Sequence, residues 1–255
     1  MKTVCVFIDG ENFRKTIQGL FPEFDKEEYL PKNADWTSFF DYLVAECFGN
    51  TAERLRCYWY VTAELDHTYI QHPQKDRAKF IKRLEGSHYE SQINQLSDVE
   101  IYKELPKIHT AVWAYVDKVK KRFNIQRDIQ NAIGRNAKGI EFRRNGSLKL
   151  DPFTGKFLGE KGVDVALGVD LLKLKDIYDC AILVSGDQDY VPAVQAVKDC
   201  GKEVFNVSFK TRTGELLPGG ARRLNDITDH NLQVDFAICI EFLGINPDGI
   251  PPVQP

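Results

Sequence analysis

The sequence lacks the cysteine patterns that staple secreted folds or ligate zinc. Its six cysteines (5, 47, 57, 180, 200 and 239) show no CxxC and no Cys/His ligand spacing. Most stand inside apolar runs, so buried reduced thiols and a cytoplasmic setting are expected. Long hydrophobic runs are missing too. None approaches the roughly 20 residues of a membrane span, and the N-terminus enters a strand almost at once, with no signal peptide. No excess of positive charge is present: the net charge of −3 would argue against a nucleic-acid partner if it were evenly spread. What remains is the composition of a soluble globular chain, 43% hydrophobic and 28% charged over 255 residues. That length suits one large α/β domain or a core domain with an insertion.

One stretch organises the rest, Cys180-Ala-Ile-Leu-Val-Ser-Gly-Asp-Gln-Asp-Tyr-Val-Pro-Ala-Val194. Ala181 to Val184 is a continuous apolar run, as in a strand buried on both faces. Ser185-Gly186 breaks it, and Val191, Val194 and Val197 continue at helical spacing, with Pro192 allowed in a first turn. Asp187 and Asp189 therefore lie at a strand-to-helix junction, where open parallel sheets place their ligand sites. One such acid would be read as a helix cap. Two acids, two residues apart, can converge on one point as a metal site.

The first strand, Thr3 to Ile8, ends the same way, in Asp9-Gly-Glu-Asn12. Gly10 permits a tight turn and Asn12 can cap a helix beginning at Phe13. A strand-end carboxylate at Asp9 costs desolvation unless something pairs with it. Asp35 caps a helix whose Trp36, Phe39, Phe40, Leu43, Val44 and Cys47 form an apolar stripe ended by Gly49 and Asn50, and Arg54–Val61 reads as a second strand. From about 63 to 138 the period is helical: Pro73 to Leu84 forms one helix, and Pro106 opens another with Ile108, Val112, Val116, Val119 and Phe123 on one face. This segment is a helical insertion or subdomain. Strand segments follow at Gly139–Arg144, Ser147–Leu150 and Lys156–Leu158, with turns at Asn145-Gly146 and Thr154-Gly155.

Glu160 to Leu172 then reads as a core helix apolar on several faces, with Asp164 in its first turn. Asp170 is six residues on, about 240° around the axis, and is read as a structural hydrogen-bonding acid. Gly201 ends the helix of the central stretch, Glu203–Ser208 is the last parallel strand, and a tail starts at Pro247. The expected domain is thus 1–246, with its insertion at about 63–138, followed by a flexible tail at 247–255.

The charge is not evenly spread. From Lys118 to Lys149 ten basic residues face two acids, Asp128 and Glu141. Ten minus two leaves +8 there, so the rest of the chain carries −3 − 8 = −11. Such a run is a solvated face or a phosphate-backbone footprint. Lys210, Arg212, Arg222 and Arg223 form a second basic group after the last strand.

Asp9, Asp164, Asp187 and Asp189 belong to elements that meet at one edge of a parallel sheet. Two carboxylates 4 Å apart repel by about 4 kcal/mol at an effective dielectric of 20, so protons or a divalent cation must compensate. Oxygen-only ligation selects Mg²⁺ or Mn²⁺. Such ions activate water for phosphodiester hydrolysis without a Ser, Cys or His nucleophile. The five histidines (67, 72, 88, 109 and 230) lie outside these motifs.

Phe-Ile-Asp9-Gly-Glu-Asn12, Lys161-Gly-Val-Asp164-Val-Ala-Leu and Val-Ser-Gly-Asp187-Gln-Asp189-Tyr occur in this order. The set resembles the NYN domain, the LabA-like branch of the PIN-like nucleases, over the first strand and helix and then about 139 to 210. The resemblance implies a PIN-like, Rossmannoid α/β fold, a parallel sheet flanked by helices. It implies a metal-dependent (endo)ribonuclease whose Asp9, Asp164, Asp187 and Asp189 are catalytic and hold Mg²⁺ or Mn²⁺. Asn12 and Lys161 would stand at the edge of that site. Ser185, Arg143, Arg144, Lys210, Arg212, Arg222 and Arg223 are the further candidates for contact with substrate. The partner expected is RNA, single-stranded or structured, with no membrane, and a homodimer is compatible. Two other readings compete. A haloacid-dehalogenase-type phosphatase also carries an Asp after its first strand, but wants a second Asp where Glu11 stands. A non-catalytic nucleic-acid-binding or regulatory module would keep the acids for structure.

Overall fold

The computed structural model describes residues 1–24, 28–219 and 221–245; the tail expected from Pro247 lies outside them. The chain divides into two compact units. The first comprises Met1–Val61, Asp128–Asn145 and the chain from Gly162, and the second Thr62–Arg127 with Gly146–Lys161. The second unit thus adds to the helical segment a stretch that lies well after it in sequence.

In the first unit, β1 (Lys2–Asp9) continues directly into α1 (Gly10–Leu20), and α2 (Trp36–Phe48) leads to β2 (Ala52–His67), whose first ten residues belong here. β1 lies between β2 and a later strand, β5 (Cys180–Val184), parallel to both. A strand so flanked has no solvated face: Val4 through Ile8 are fully buried, as are Ala181 to Leu183. Side-chain alternation divides them. Val4, Val6 and Ile8 pack with Phe13, Ile17, Phe39 and Phe40 from α1 and α2. Cys5 and Phe7 pack on the opposite face with Leu167 and Leu171 of α6 (Val163–Lys173) and with Val194 and Val197 of α7 (Val191–Asp199).

β6 (Glu203–Lys210) pairs in parallel with β5 and carries the short antiparallel β7 (Leu216–Leu217). After α8 (Arg222–Ile227) comes β8 (His230–Val234), which lies parallel to β6, and α9 (Phe236–Leu243) closes the described chain. The sheet is mixed and mostly parallel, with helices on both faces. Glu203–Ser208 was expected as the last parallel strand; β8 takes that place. Its alternating burial, with Leu232 and Val234 inward, is too short a pattern to announce a strand in sequence.

Other boundaries also differ. β3 (Ile140–Asp151) runs unbroken through Asn145-Gly146, so no turn forms there, although Gly146 has φ +64°. α6 starts at Val163 behind Gly162, with φ +90°, because Glu160 and Lys161 belong to β4 (Lys156–Lys161). Only Val163, Leu167 and Leu171 of α6 are buried, while Val165 and Val169 are 64% and 54% exposed. The helix covers the sheet with one face.

The second unit has a core of its own. The long helix α5 (Asp98–Asn136) supplies Leu105, Ile108, Val112 and Val116 to it. They pack with Phe80 and Leu84 of α3 (Arg77–Leu84), Ile93 of α4 (Glu90–Ile93), and Leu150 and Phe153 from the β3–β4 hairpin. Pro106 was expected to open this helix but lies inside it. The start is set about two and a half turns earlier by Ser97 and Glu100. The Glu100 carboxylate accepts from the Ser97 backbone N–H at 2.9 Å and from its hydroxyl at 2.6 Å, the carboxylate half of a capping box, which outweighs the one N–H that proline lacks.

Candidate active site

Asp9 ends β1, and Ser185 follows β5. Because Ile8 is the register partner of Val184, the next residue of each strand is set side by side at the carboxyl edge of the sheet. Asp9 Oδ2 accepts from the Ser185 hydroxyl at 3.1 Å and from the Tyr190 hydroxyl at 3.2 Å. Its Oδ1 accepts from the Asn12 backbone N–H at 3.1 Å. Asp9 is therefore the N-cap of α1, the part expected of Asn12. The helix begins at Gly10, too early for Asn12 to cap it. Asn12 instead reaches across, its Oδ1 accepting from the Gly186 N–H at 3.0 Å. Ser185 Oγ accepts from the Asp187 N–H at 3.1 Å, and Asp187 Oδ1 from the Asp189 N–H at 2.9 Å. One continuous set of hydrogen bonds ties the first turn of α1 to the junction between β5 and α7.

Two glycines make this approach possible, neither through a positive φ. A Cβ on Gly10 would lie 2.4 Å from the Tyr60 carbonyl oxygen, and one on Gly186 would lie 2.2 Å from Pro218 Cγ. Gly10 is thus needed for close packing of the α1 start against β2, rather than for the tight turn expected of it.

Burial pushes the Asp9 carboxyl above the usual carboxylate range, against the three hydrogen bonds that favour its ionised form, and the nearby Asp187 charge pushes it further. The Tyr190 hydroxyl is held far above its ordinary value, first by burial and then by Asp9, with Asp187 and Asp164 adding to the effect. Three of the four expected acids therefore act on one buried hydroxyl. Asp164, half-buried in the first turn of α6, takes part through its charge alone; Asp189 is exposed and joins through its backbone N–H. Tyr190 itself escaped the sequence reading. Its position one residue after Asp189, in a turn behind a fully buried strand, was the available signal, because a buried tyrosine hydroxyl must find a partner.

Among the described residues no group of three His, Cys, Asp or Glu side chains is arranged to hold a metal ion. The donors at this edge are nonetheless all oxygens. Mg²⁺ is commonly held by one or two carboxylates with the rest of its shell water, so Asp9 and Asp187, with Asp164 near, fit a hard divalent cation.

The basic candidates are placed unequally. Arg143 is committed internally: its Nη1 donates to Asp170 Oδ2 and its Nε to Glu141 Oε1 at 3.0 Å, and its guanidinium lies 4.0 Å over the Tyr58 ring. Asp170 also accepts from the Tyr60 hydroxyl at 2.9 Å. Arg144 donates to Asn131 Oδ1 at 2.7 Å. Lys210 pairs with Asp235 at 2.9 Å, and Arg212 lies 5.8 Å over the Phe236 ring. Arg222 and Arg223 are exposed in the first turn of α8. Lys161, exposed at the end of β4 in the second unit, pairs in register with Ser147.

No curated protein matches the chain. Among solved structures, a Vibrio parahaemolyticus protein of unknown function, VPA0982, matches with 15% identity and a TM-score of 0.44, over 92% of this chain and 93% of that one. The T5 D15 protein co-crystallised with metal ions gives 12% identity and a TM-score of 0.32, over 80% of this chain and 54% of that one. T5 5'-exonuclease with bound zinc gives 12% and 0.33, over 80% and 55%, so the chain spans about half the length of those two proteins. The family comparison reaches further. The model of the NYN domain matches residues 3–218, a span that holds β1, the β5–α7 junction and all four aspartates, and the chain therefore belongs to the NYN domain family of PIN-like nucleases.

Proposed function

We propose that this protein is a metal-dependent ribonuclease that hydrolyses RNA phosphodiester bonds at the Asp9–Asp187 edge of the sheet. The observation that carries this reading is the Asp9 carboxyl, burial-strained and held by two side-chain hydroxyls beside a second acid. A helix cap alone would not call for a second acid, Asp187, close enough for its charge to raise the Asp9 carboxyl further.

Asp9, Asp187 and Asp164 would hold Mg²⁺ or Mn²⁺, with Asp189 at the edge. When bound, such an ion supplies charge neutralisation and an acidified water at neutral pH. The chain's own groups do the rest. Ser185 and Tyr190 fix the direction of the Asp9 carboxylate, so it need not reorganise as charge develops. Asn12 locks the Gly186 amide and with it the turn that carries Asp187. Asp187 would accept the proton of the attacking water as the P–O bond breaks, the departing ribose oxygen taking its proton from solvent, and Arg222 and Arg223 are assigned to phosphate oxygens of the RNA.

A second reading is favoured by a specific observation. No three ligating side chains are arranged for a metal among the described residues, as a non-catalytic RNA-binding module would allow. The test is incubation of labelled single-stranded and structured RNA with Mg²⁺ or Mn²⁺, beside EDTA and Asp187→Asn controls. Metal-dependent cleavage that Asp187→Asn abolishes, with RNA binding retained, is expected. Binding indifferent to chelator with no cleavage would replace the enzyme with the binding module.

A further inference from the structure

The second unit contains a small basic-aromatic cavity outside everything assigned above. Its volume is about 100 Å³, and it is lined by Tyr69, Gln71, Lys79, Phe80, Arg83 and Phe153. Phe80 and Phe153 form its floor; both are 1% exposed and meet edge to face at 5.7 Å. Tyr69 stands at its mouth with 73% of its surface exposed. The backbone beside that ring is pinned, since the Thr68 N–H donates to the Leu150 carbonyl at 3.1 Å. Lys79 and Arg83 are one turn apart on α3 and therefore share a face. Both side chains are exposed, and neither makes an ion pair among the described residues. No carboxylate lines the cavity.

A large exposed aromatic ring on an ordered backbone, beside two uncommitted cations one turn apart, is an arrangement with a specific use. Bases stack on such rings whatever their identity, while neighbouring cations follow the phosphates. The cavity is too small to enclose a ligand, whose pockets run to about 300–1,000 Å³, so an occupant would lie across its mouth. From Lys75 to Leu84 the chain carries Lys75, Arg77, Lys79, Lys82 and Arg83 against Asp76 alone; Arg77 pairs with Asp98 at 3.3 Å, and the excess of positive charge around the cavity suits a polyanion.

We propose that Tyr69, Lys79 and Arg83 form a contact point for one unpaired nucleotide of a single-stranded nucleic acid, its base stacked on Tyr69 and its phosphates held by the two cations. The proposal deepens the RNA reading and rests on it for the substrate class, but it does not depend on the aspartates. A duplex has no free base to offer Tyr69 and is excluded as the preferred ligand. A free mononucleotide shares the chemistry but brings only its own phosphate.

The test is binding of the full chain, in EDTA so that no strand is cut, to a labelled unstructured oligoribonucleotide, a duplex of the same length and AMP. Tyr69→Ala is expected to weaken single-strand binding about tenfold, with Tyr69→Phe restoring it because the ring is kept. Lys79→Ala with Arg83→Ala should flatten the log–log salt dependence by about 1.4, roughly 0.7 for each phosphate contact of a single strand. All three residues are exposed, and thermal melts confirm that the variants stay folded. Equal affinity for strand and AMP, equal effects on the duplex, or competition by poly-glutamate as strong as by the strand would each overturn the proposal. Wild-type binding of the strand that is indifferent to all these substitutions would remove this contact point alone. Absence of any RNA binding would remove the RNA reading with it.

Discussion

The replacement of Arg143 by methionine separates two parts this side chain could play. The sequence places it in a basic run suited to phosphates, whereas the structure surrounds it with Asp170, Glu141 and the Tyr58 ring. Breaking a buried ion pair from one side costs about 3–5 kcal/mol, because the remaining charge is left uncompensated. Here the two side chains are 22% and 15% exposed, so water screens part of that penalty. The low end, about 3 kcal/mol, is expected. For a chain of this size each kcal/mol moves Tm by about 2–4 °C, which gives a fall of roughly 6–12 °C in a thermal melt. Adding Asp170→Asn should recover most of the loss. The amide oxygen can still accept from the Tyr60 hydroxyl, and the orphaned charge is gone. RNA affinity, measured at a temperature where both proteins are folded, should change little. A melt that moves by less than about 2 °C, outside the range the lost pair implies, together with a clear loss of RNA affinity, would refute this reasoning and return Arg143 to the phosphates.

Two further outcomes follow from the site. The folded-state pKa of Asp9 is raised, so the native protein binds more protons than the unfolded chain above the ordinary carboxyl value near 3.9. Stability contributed by the protonated form is therefore present at low pH and lost as pH rises through the folded-state value. Asp9→Asn should leave the metal-free protein at least as stable at neutral pH and with a flatter pH dependence of the urea midpoint, while losing stabilisation by Mn²⁺; a variant that unfolds without metal would make the acid a structural necessity. Gly186→Ala should cost about 1–3 kcal/mol, because its Cβ would lie 2.2 Å and 2.7 Å from two carbons of the Pro218 ring, which cannot yield as a flexible chain would. Gly168→Ala in α6, where the new Cβ meets Ala193 at an ordinary 3.5 Å, should instead gain about 0.5–1 kcal/mol. Thermal melts of the two, side by side, test whether close approach rather than glycine itself sets the requirement.

What the sequence disclosed about the fold was whatever a single segment decides for itself. The runs Val4–Ile8 and Ala181–Val184 read as buried strands because burial on both faces leaves no polar position in them. Asp35 was legible as a cap, and the Trp36 stripe as core, because a helix repeats its own pattern. Illegible were the features decided between segments. β3 carries Asn145-Gly146 through a strand because its pairing outweighs a local turn signal. β8 needs β6 beside it before five residues with two buried positions become a strand. The Ser97–Glu100 pair is a local signal, but Pro106, nine residues on, is the more conspicuous punctuation, and a start read from it falls inside the helix.

The same division runs through the candidate site. Asp9, Asp187 and Asp164 were legible as acids at element ends, since each end is marked within its own segment. Their partners were not, because the bonds from Ser185 and Tyr190 to Asp9 span 176 and 181 residues of chain. Those bonds exist only because Ile8 and Val184 share a register, and a slip of one residue would turn Asp9 to the other face of the sheet. The register is in turn held by two apolar cores, each of which takes alternate side chains of the same strands. The burial that fixes β1 against β5 is thus also what raises the Asp9 carboxyl and gathers the neighbouring charges on Tyr190. An acid in that position does not stabilise the metal-free fold on its own account. Under the function proposed above, its presence at the end of a deeply buried strand is accounted for by the cation it would hold.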